Sequence, residues 1–310
     1  MDNRFWCVTV LFNPVSYHSR TDNYKIFRDR LEKQKINLLT VELAFNDQEY
    51  ILPNDSNTLR LRSHSVLWQK ERLINYAMSQ LPKECDRVAW LDCDLLFPYG
   101  WDDLLMQKLD KAHFVQLFEK IIHLKPNEKD YGGYRQDSFI GIVGQAKRYA
   151  AEWVPLRLQR KIGHAEPGFG WACQRACLAQ GLYDSLIIGG GDNFTCDCLL
   201  GSDNLHHYVN KLTDEQKLDM SEWRTNFTRA GVPTVDYLPI DIYHLWHGSI
   251  KDRQYTTRDL IFKEHHFNPK EDIKVVDHVW EWATDKPALH TAILDYFKSR
   301  NEDGKRMVNE

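Results

Sequence analysis

An α/β fold, with a mostly parallel sheet flanked by helices, is predicted by three features of the sequence. Arg87-Val88-Ala89-Trp90-Leu91 is a nearly unbroken apolar run with no solvated face, which is the pattern of a strand buried on both sides. A second such run, Phe5 to Leu11, stands close to the start of the chain, and helical apolar spacing separates the two. The run at Arg87 ends on Asp92 and Asp94. Residues i and i+2 of an extended chain point to one side, so both carboxylates are expected in the crevice beyond the strand's carboxyl end, where open α/β sheets bind ligands. Two hard oxygen donors there suit Mg²⁺ or Mn²⁺, and the same two residues also suit the capping of a turn.

Composition narrows the class. At 310 residues the chain can form one large α/β domain or two small ones. The apolar share is 43%, with ten tryptophans, and no apolar run approaches the roughly 18–20 residues of a membrane span. Met1-Asp2-Asn3-Arg4 leads straight into a strand-like run, so no signal peptide is read and a cytoplasmic protein is expected. Forty basic against 44 acidic residues give a net charge of −4, which argues against an extended nucleic-acid footprint. The seven cysteines read as reduced thiols, since the spacings Cys173/Cys177 and Cys196/Cys198 match zinc ribbons poorly.

Taken in order, the first strand breaks into an aromatic, polar loop, Phe12 to Asn23, before a helix from about Tyr24 to Lys33. Such a loop after a first strand is a usual place for a nucleotide base, which makes Phe12, Tyr17, Arg20 and Asn23 candidates. Ile36 to Phe45 reads as a second strand with Glu42 among apolar neighbours, and a polar segment follows to Arg62. A helix is expected over Ser65 to Leu81, with Lys70 falling on its apolar stripe between Val66 and Leu73. A lysine there either snorkels or meets a substrate phosphate or a crevice carboxylate. Trp101 to Leu109 reads as a helix and His113 to Glu119 as a strand. Leu124 to Gly144 has the composition of a mobile substrate loop or of a surface insertion.

Two further stretches carry chemistry. Gly168-Phe169-Gly170-Trp171 opens a segment, read as helical, that ends in Ile188-Gly189-Gly190-Gly191-Asp192, where glycines allow close backbone approach and deliver Asp192 at the exit of a turn. Downstream, His244 and His247 are followed by Lys251, Arg253 and Arg258, a set able to complete a metal and diphosphate site. Pro287 to Ser299 reads as a helix, and Asn301 to Glu310 as a frayed end.

These pieces, in this order, resemble a glycosyltransferase of the GT-A fold. Asp92-Cys93-Asp94 resembles the family's DxD motif, Gly168 to Asp192 its acceptor region in galactosyltransferase and polypeptide N-acetylgalactosaminyltransferase relatives, and His247 its downstream metal ligand. One departure is visible: where relatives carry Glu-Asp after the glycines, this chain has Gly191-Asp192. The resemblance implies a Rossmann-like mixed sheet, a catalytic domain over residues 1–270 (donor half to about 120, acceptor half beyond) and a helical extension over 271–310. It implies Mn²⁺ or Mg²⁺ held by Asp92, Asp94 and His247, and a nucleotide-sugar donor, UDP-linked by preference, held by the loop candidates with Lys70, Asp92, Lys251 and Arg253. The acceptor, whether glycan, protein, lipid or modified nucleobase, would meet Trp171, Gly190 and Gly191, with Asp192 as base in an inverting transfer. A non-catalytic nucleotide- or carbohydrate-binding protein and a metal-dependent nucleotidyltransferase are the rival readings.

Overall fold

The computed structural model describes residues 3–126, 135–137, 166–201 and 209–304. Most of the segment read as a substrate loop, including Tyr131 to Tyr134 and 138–144, lies outside the described residues. The chain begins with β1 (Phe5–Phe12), α1 (His18–Lys33), β2 (Leu38–Phe45), β3 (Thr58–Ser63), α2 (Lys70–Gln80) and β4 (Arg87–Leu91). It continues through β5 (Leu95–Leu96), α3 (Trp101–Leu109), β6 (Phe114–Gln116), β7 (Lys120–His123), β8 (Arg135–Asp137) and β9 (Gly170–Gln174). The last part holds α4 (Gly191–Leu199), α5 (Asp214–Phe227), β10 (Val235–Tyr237), β11 (Asp241–His244), α6 (Leu260–Glu264), β12 (Ile273–Val276), β13 (Val279–Trp282) and α7 (Pro287–Ser299).

The main sheet has seven strands among the described residues, in the order β10-β6-β9-β4-β1-β2-β3. The β4-β1-β2-β3 half is parallel, as the unbroken apolar runs require, and β6 and β10 are parallel to each other. Between the two halves β9 runs antiparallel to both β4 and β6. A smaller sheet, β5-β11-β7-β8, stands beyond the carboxyl end of β4, and β12 pairs with β13 in a hairpin.

Strand alternation divides the core between two faces. Val8, Val10 and Phe12 of β1 face Leu73 and Ala77 of α2, Phe194 of α4 and Ile293 of α7. Cys7 and Leu11 face Phe27 and Leu31 of α1 and Trp101 and Leu105 of α3. All seven cysteines are free thiols, and among the described residues no helix is long and apolar enough to cross a membrane.

Several elements differ from the sequence-based expectation, each for a local reason. The helix expected from Ser65 begins at Lys70, because Trp68 N–H donates to Ile187 O at 2.8 Å and ties the preceding residues to another loop. Val66 is therefore off the helix, and the stripe it would share with Lys70 does not exist. The polar segment up to Arg62 contains β3, an edge strand whose inner residues are only half-buried, so no apolar run announces it. His113 to Glu119 supplies only the three residues of β6 before the chain crosses into the smaller sheet. Gly170 to Gln174 is a strand, not a helix. The stretch from 271 holds a hairpin before its helix, and Asn301 to Gly304 are ordered rather than frayed, with Glu302 buried.

Candidate functional site

The carboxyl ends of β1, β4 and β11, the Gly189–Asp192 turn and the segment after α7 surround a cavity of about 380 Å³. This is where an open sheet leaves a crevice, and the volume suits a small ligand. Both aspartates after β4 line the cavity, yet they belong to different clusters. The strand ends at Leu91 and the chain turns through Cys93 and Asp94, so the two-residue alternation that would aim both carboxylates together is lost.

Asp92 joins the first cluster. Lys70 Nζ lies 2.7 Å from Asp92 Oδ1 and 3.1 Å from Asp192 Oδ2, so one ammonium bridges the end of β4 and the first turn of α4. Burial alone would lower the Lys70 pKa, but Asp192 and Asp92 outweigh it and hold the amine well above its ordinary value. Lys70 is buried because it meets crevice carboxylates; snorkelling does not describe it. Burial also raises Asp92, against the pull of Lys70. Beneath this pair lies Glu71, which accepts from Trp68 Nε1 at 3.1 Å and is pushed up to about 8 by burial. It fills the space a side chain at position 191 would need: a Cβ on Gly191 would stand 2.5 Å from Glu71 Oε1.

Asp94 joins the second cluster, with His244 and His247. Ligand atoms of these three buried residues all lie within 4.8 Å of one another. Asp94 Oδ2 is 3.1 Å and Oδ1 3.6 Å from the Nε2 atoms of His247 and His244, which are themselves 2.9 Å apart. Burial and the neighbouring Arg253 push His247 down to about 3, so its imidazole is neutral and able to ligate. Burial would raise Asp94, but the two imidazoles and Arg20 hold it below the usual carboxylate range. Asp94 Oδ1 is buried without a hydrogen-bond partner. An orphaned carboxylate oxygen facing two imidazole nitrogens is a donor set that a divalent cation satisfies. The spacing of His244 and His247 left one to be chosen as ligand; the fold brings both to Asp94, and Asp92 lies outside the group.

Of the nucleotide-site candidates, Phe12, Arg20, Lys70, Asp92 and Arg253 line the cavity. Tyr17 does not: its hydroxyl donates to the carbonyls of Phe297 and Lys298 at the end of α7. Asn23 is buried behind the wall, bonded to Trp246 O at 3.0 Å, and Lys251 is exposed. On the acceptor side Gly190 and Asp192 line the cavity, whereas Gly191 packs under it and Trp171 is buried within β9, donating to Pro167 O. Sequence reading missed Trp68, two residues before Lys70, and Arg300 and Glu302, which lie far from any motif, and assigned no role to Phe169. That residue lines the cavity with φ of 74° and sets its ring edge-on to His244. A bulky residue held at positive φ stores strain of the kind found beside working sites.

No family model matches the chain, and no curated protein does. Among solved structures, glucosyl-3-phosphoglycerate synthase from Mycobacterium tuberculosis, in complex with Mn²⁺, UDP and phosphoglyceric acid, is similar at 12% identity and TM-score 0.37, over 83% of this chain and 75% of that one. The catalytic domain of Drosophila β1,4-galactosyltransferase 7 is similar at 12% identity and TM-score 0.30, over 64% of this chain and 63% of that one, just under two thirds of its length. A 4-diphosphocytidyl-2C-methyl-D-erythritol synthase from Anaerococcus prevotii is similar at 12% identity and TM-score 0.33, over 77% of this chain and 88% of that one. At these identities and TM-scores none of them speaks for this chain, and what the cavity does has to be read from its own residues.

Proposed function

We propose that this protein is a metal-dependent glycosyltransferase that moves a sugar from a nucleoside-diphosphate sugar to an acceptor hydroxyl. The observation that carries this reading is the meeting of two unlike clusters in the lining of one cavity: the Asp94/His244/His247 donor group with Arg20, Arg253, Arg258 and Arg300, and the Lys70-bridged carboxylates Asp92 and Asp192. Two imidazoles and a carboxylate would by themselves also suit non-haem iron. The guanidinium wall weighs toward a ligand rich in anionic oxygen, such as a diphosphate. Two nitrogen donors favour Mn²⁺ over Mg²⁺, which prefers oxygen. When bound, the cation would neutralise charge gathering on the diphosphate leaving group.

The chain's own residues supply the rest. Arg20 and Arg253 bind and orient the diphosphate, and the half-buried indole of Trp68 with Phe12 offers an apolar wall for the base or sugar. Asp192, a quarter exposed while Lys70 holds one side of it, has lone pairs open to the cavity and accepts the proton of the acceptor hydroxyl. A base on the face opposite the leaving group gives inversion at the anomeric carbon. UDP is the favoured nucleotide, and the acceptor is a hydroxyl compound small enough, or extended enough, to reach Asp192.

Release of nucleoside diphosphate from UDP-, GDP- and other sugar nucleotides, with Mn²⁺ or with EDTA, tests this. Wild type is expected to turn over one donor only with metal, Asp94→Asn to lose metal binding and turnover together, and Asp192→Asn to bind donor normally while losing at least 100-fold in rate. Release of pyrophosphate from a nucleoside triphosphate would instead make the protein a nucleotidyltransferase. Metal-independent turnover would remove the donor group from the mechanism.

A further inference from the structure

Residues 300–304 pack into the back wall of the cavity. Glu302 is 1% exposed, accepts from Arg300 Nε at 2.6 Å through Oε1, and places Oε2 3.3 Å from Arg20 NH1 and 3.5 Å from His247 Nδ1. The backbone is pressed against the residue after His247: a Cβ on Gly248 would stand 2.7 Å from Asn301 O and 2.9 Å from Glu302 Cα. Asp303 fastens the segment elsewhere, accepting from the backbone N–H groups of His18 at 3.0 Å and Ser19 at 2.8 Å at the start of α1.

Each donor histidine has one nitrogen toward the metal group and one away from it. His244 turns its Nδ1 to His123 Nδ1 at 3.0 Å. His247 turns its Nδ1 to Glu302. Arg253 NH2 stands 2.8 and 2.9 Å from the two ring nitrogens of His247, so it lies over the ring and not along either in-plane lone pair. Glu302 is therefore the group placed to fix the proton on Nδ1. A carboxylate on the outer nitrogen of a ligating histidine sets its tautomer, orients the ring and strengthens it as a donor.

We propose that Glu302 is a positioning residue for the metal group, holding the Nδ1–H tautomer of His247 so that Nε2 presents its lone pair alongside Asp94 and His244. This rests on the metal-site reading given above. The same carboxylate balances Arg20 and Arg300 and so ties the metal ligand to the cationic wall of the cavity.

The test is Mn²⁺ affinity of the full chain without nucleotide, measured by electron paramagnetic resonance of the free ion, beside the thermal midpoint of each variant. Glu302→Gln keeps the size and removes the charge, and is expected to weaken Mn²⁺ roughly 10-fold or more. Asp303→Asn loosens the same segment from α1 without touching the metal group, and is expected to lower the thermal midpoint while leaving Mn²⁺ affinity unchanged. Equal weakening by both variants would reduce Glu302 to a structural role, and unchanged affinity in Glu302→Gln would overturn the proposal outright. Should Glu302→Gln fail to fold, Glu302→Asp retains the charge facing Arg20 and Arg300 but withdraws it from Nδ1. It is expected to fold and to bind Mn²⁺ several-fold more weakly, and wild-type affinity there overturns the proposal. A wild-type protein that binds no Mn²⁺ sinks the metal reading itself, a failure separable from the others because it appears before any substitution.

Discussion

Gly191 shows how one missing side chain organises a site. Its φ is ordinary, unlike the positive values of 87° and 104° at Gly189 and Gly190, so conformational freedom does not explain the glycine there. Space does, because Glu71 occupies the volume. The carboxyl of Glu71, from the first turn of α2, fills the space a side chain at the start of α4 would take. Gly191→Ala is expected to cost about 1–3 kcal/mol in chemical denaturation, through overpacking against a carboxyl that Trp68 holds in place. Glu71→Ala should relieve most of that cost, so a double-mutant cycle is expected to return a coupling of the same order; additive losses would show that the two residues do not compete for space.

Among the elements, those with strong local signals were legible and those defined by partners were not. The helices Trp101–Leu109 and Pro287–Ser299 coincide with their predicted bounds, since apolar spacing and flanking Gly and Pro mark both. The apolar strands and the carboxylates that follow β4 were equally plain. The grouping of Asp94 with both histidines was not, because it depends on where β11 lies against β5, a contact between residues about 150 apart in the chain by their numbers. Glu302 gave no signal at all: a glutamate in a polar run looks solvated until α7 carries it inside. An element's contribution can likewise be separated from the site. Thr213 caps α5 in a reciprocal pair with Gln216 and also donates to Phe267 O at 2.7 Å. Thr213→Ala is expected to cost about 1–2 kcal/mol of stability by losing the cap, with Mn²⁺ affinity unchanged. A change in affinity would mean that α5 bears on the cavity, which its position does not indicate.

For the whole molecule, the smaller sheet and the segment after α7 add walls to the crevice at the carboxyl edge of the main sheet. β11 pairs with β5 immediately after the aspartates, and so brings histidines from late in the chain to a strand from its first third. Residues 300–304 then close the far side against α1. The parallel half of the main sheet can assemble from the first hundred residues, while the Asp94/His244/His247 group and Glu302 behind it draw on residues far apart in the chain.

Arg20 and Glu302 are 282 positions apart. Bringing such distant residues together means meeting the entropy of closing a very long loop before their contact returns anything, so it belongs among the late events of folding. In refolding from denaturant, tryptophan fluorescence from the sheet core is expected to recover before the capacity to bind Mn²⁺; simultaneous recovery would show that the site and sheet form in one step. The fold thus carries its own order of assembly: the sheet can stand before Glu302 has closed on Arg20 and His247.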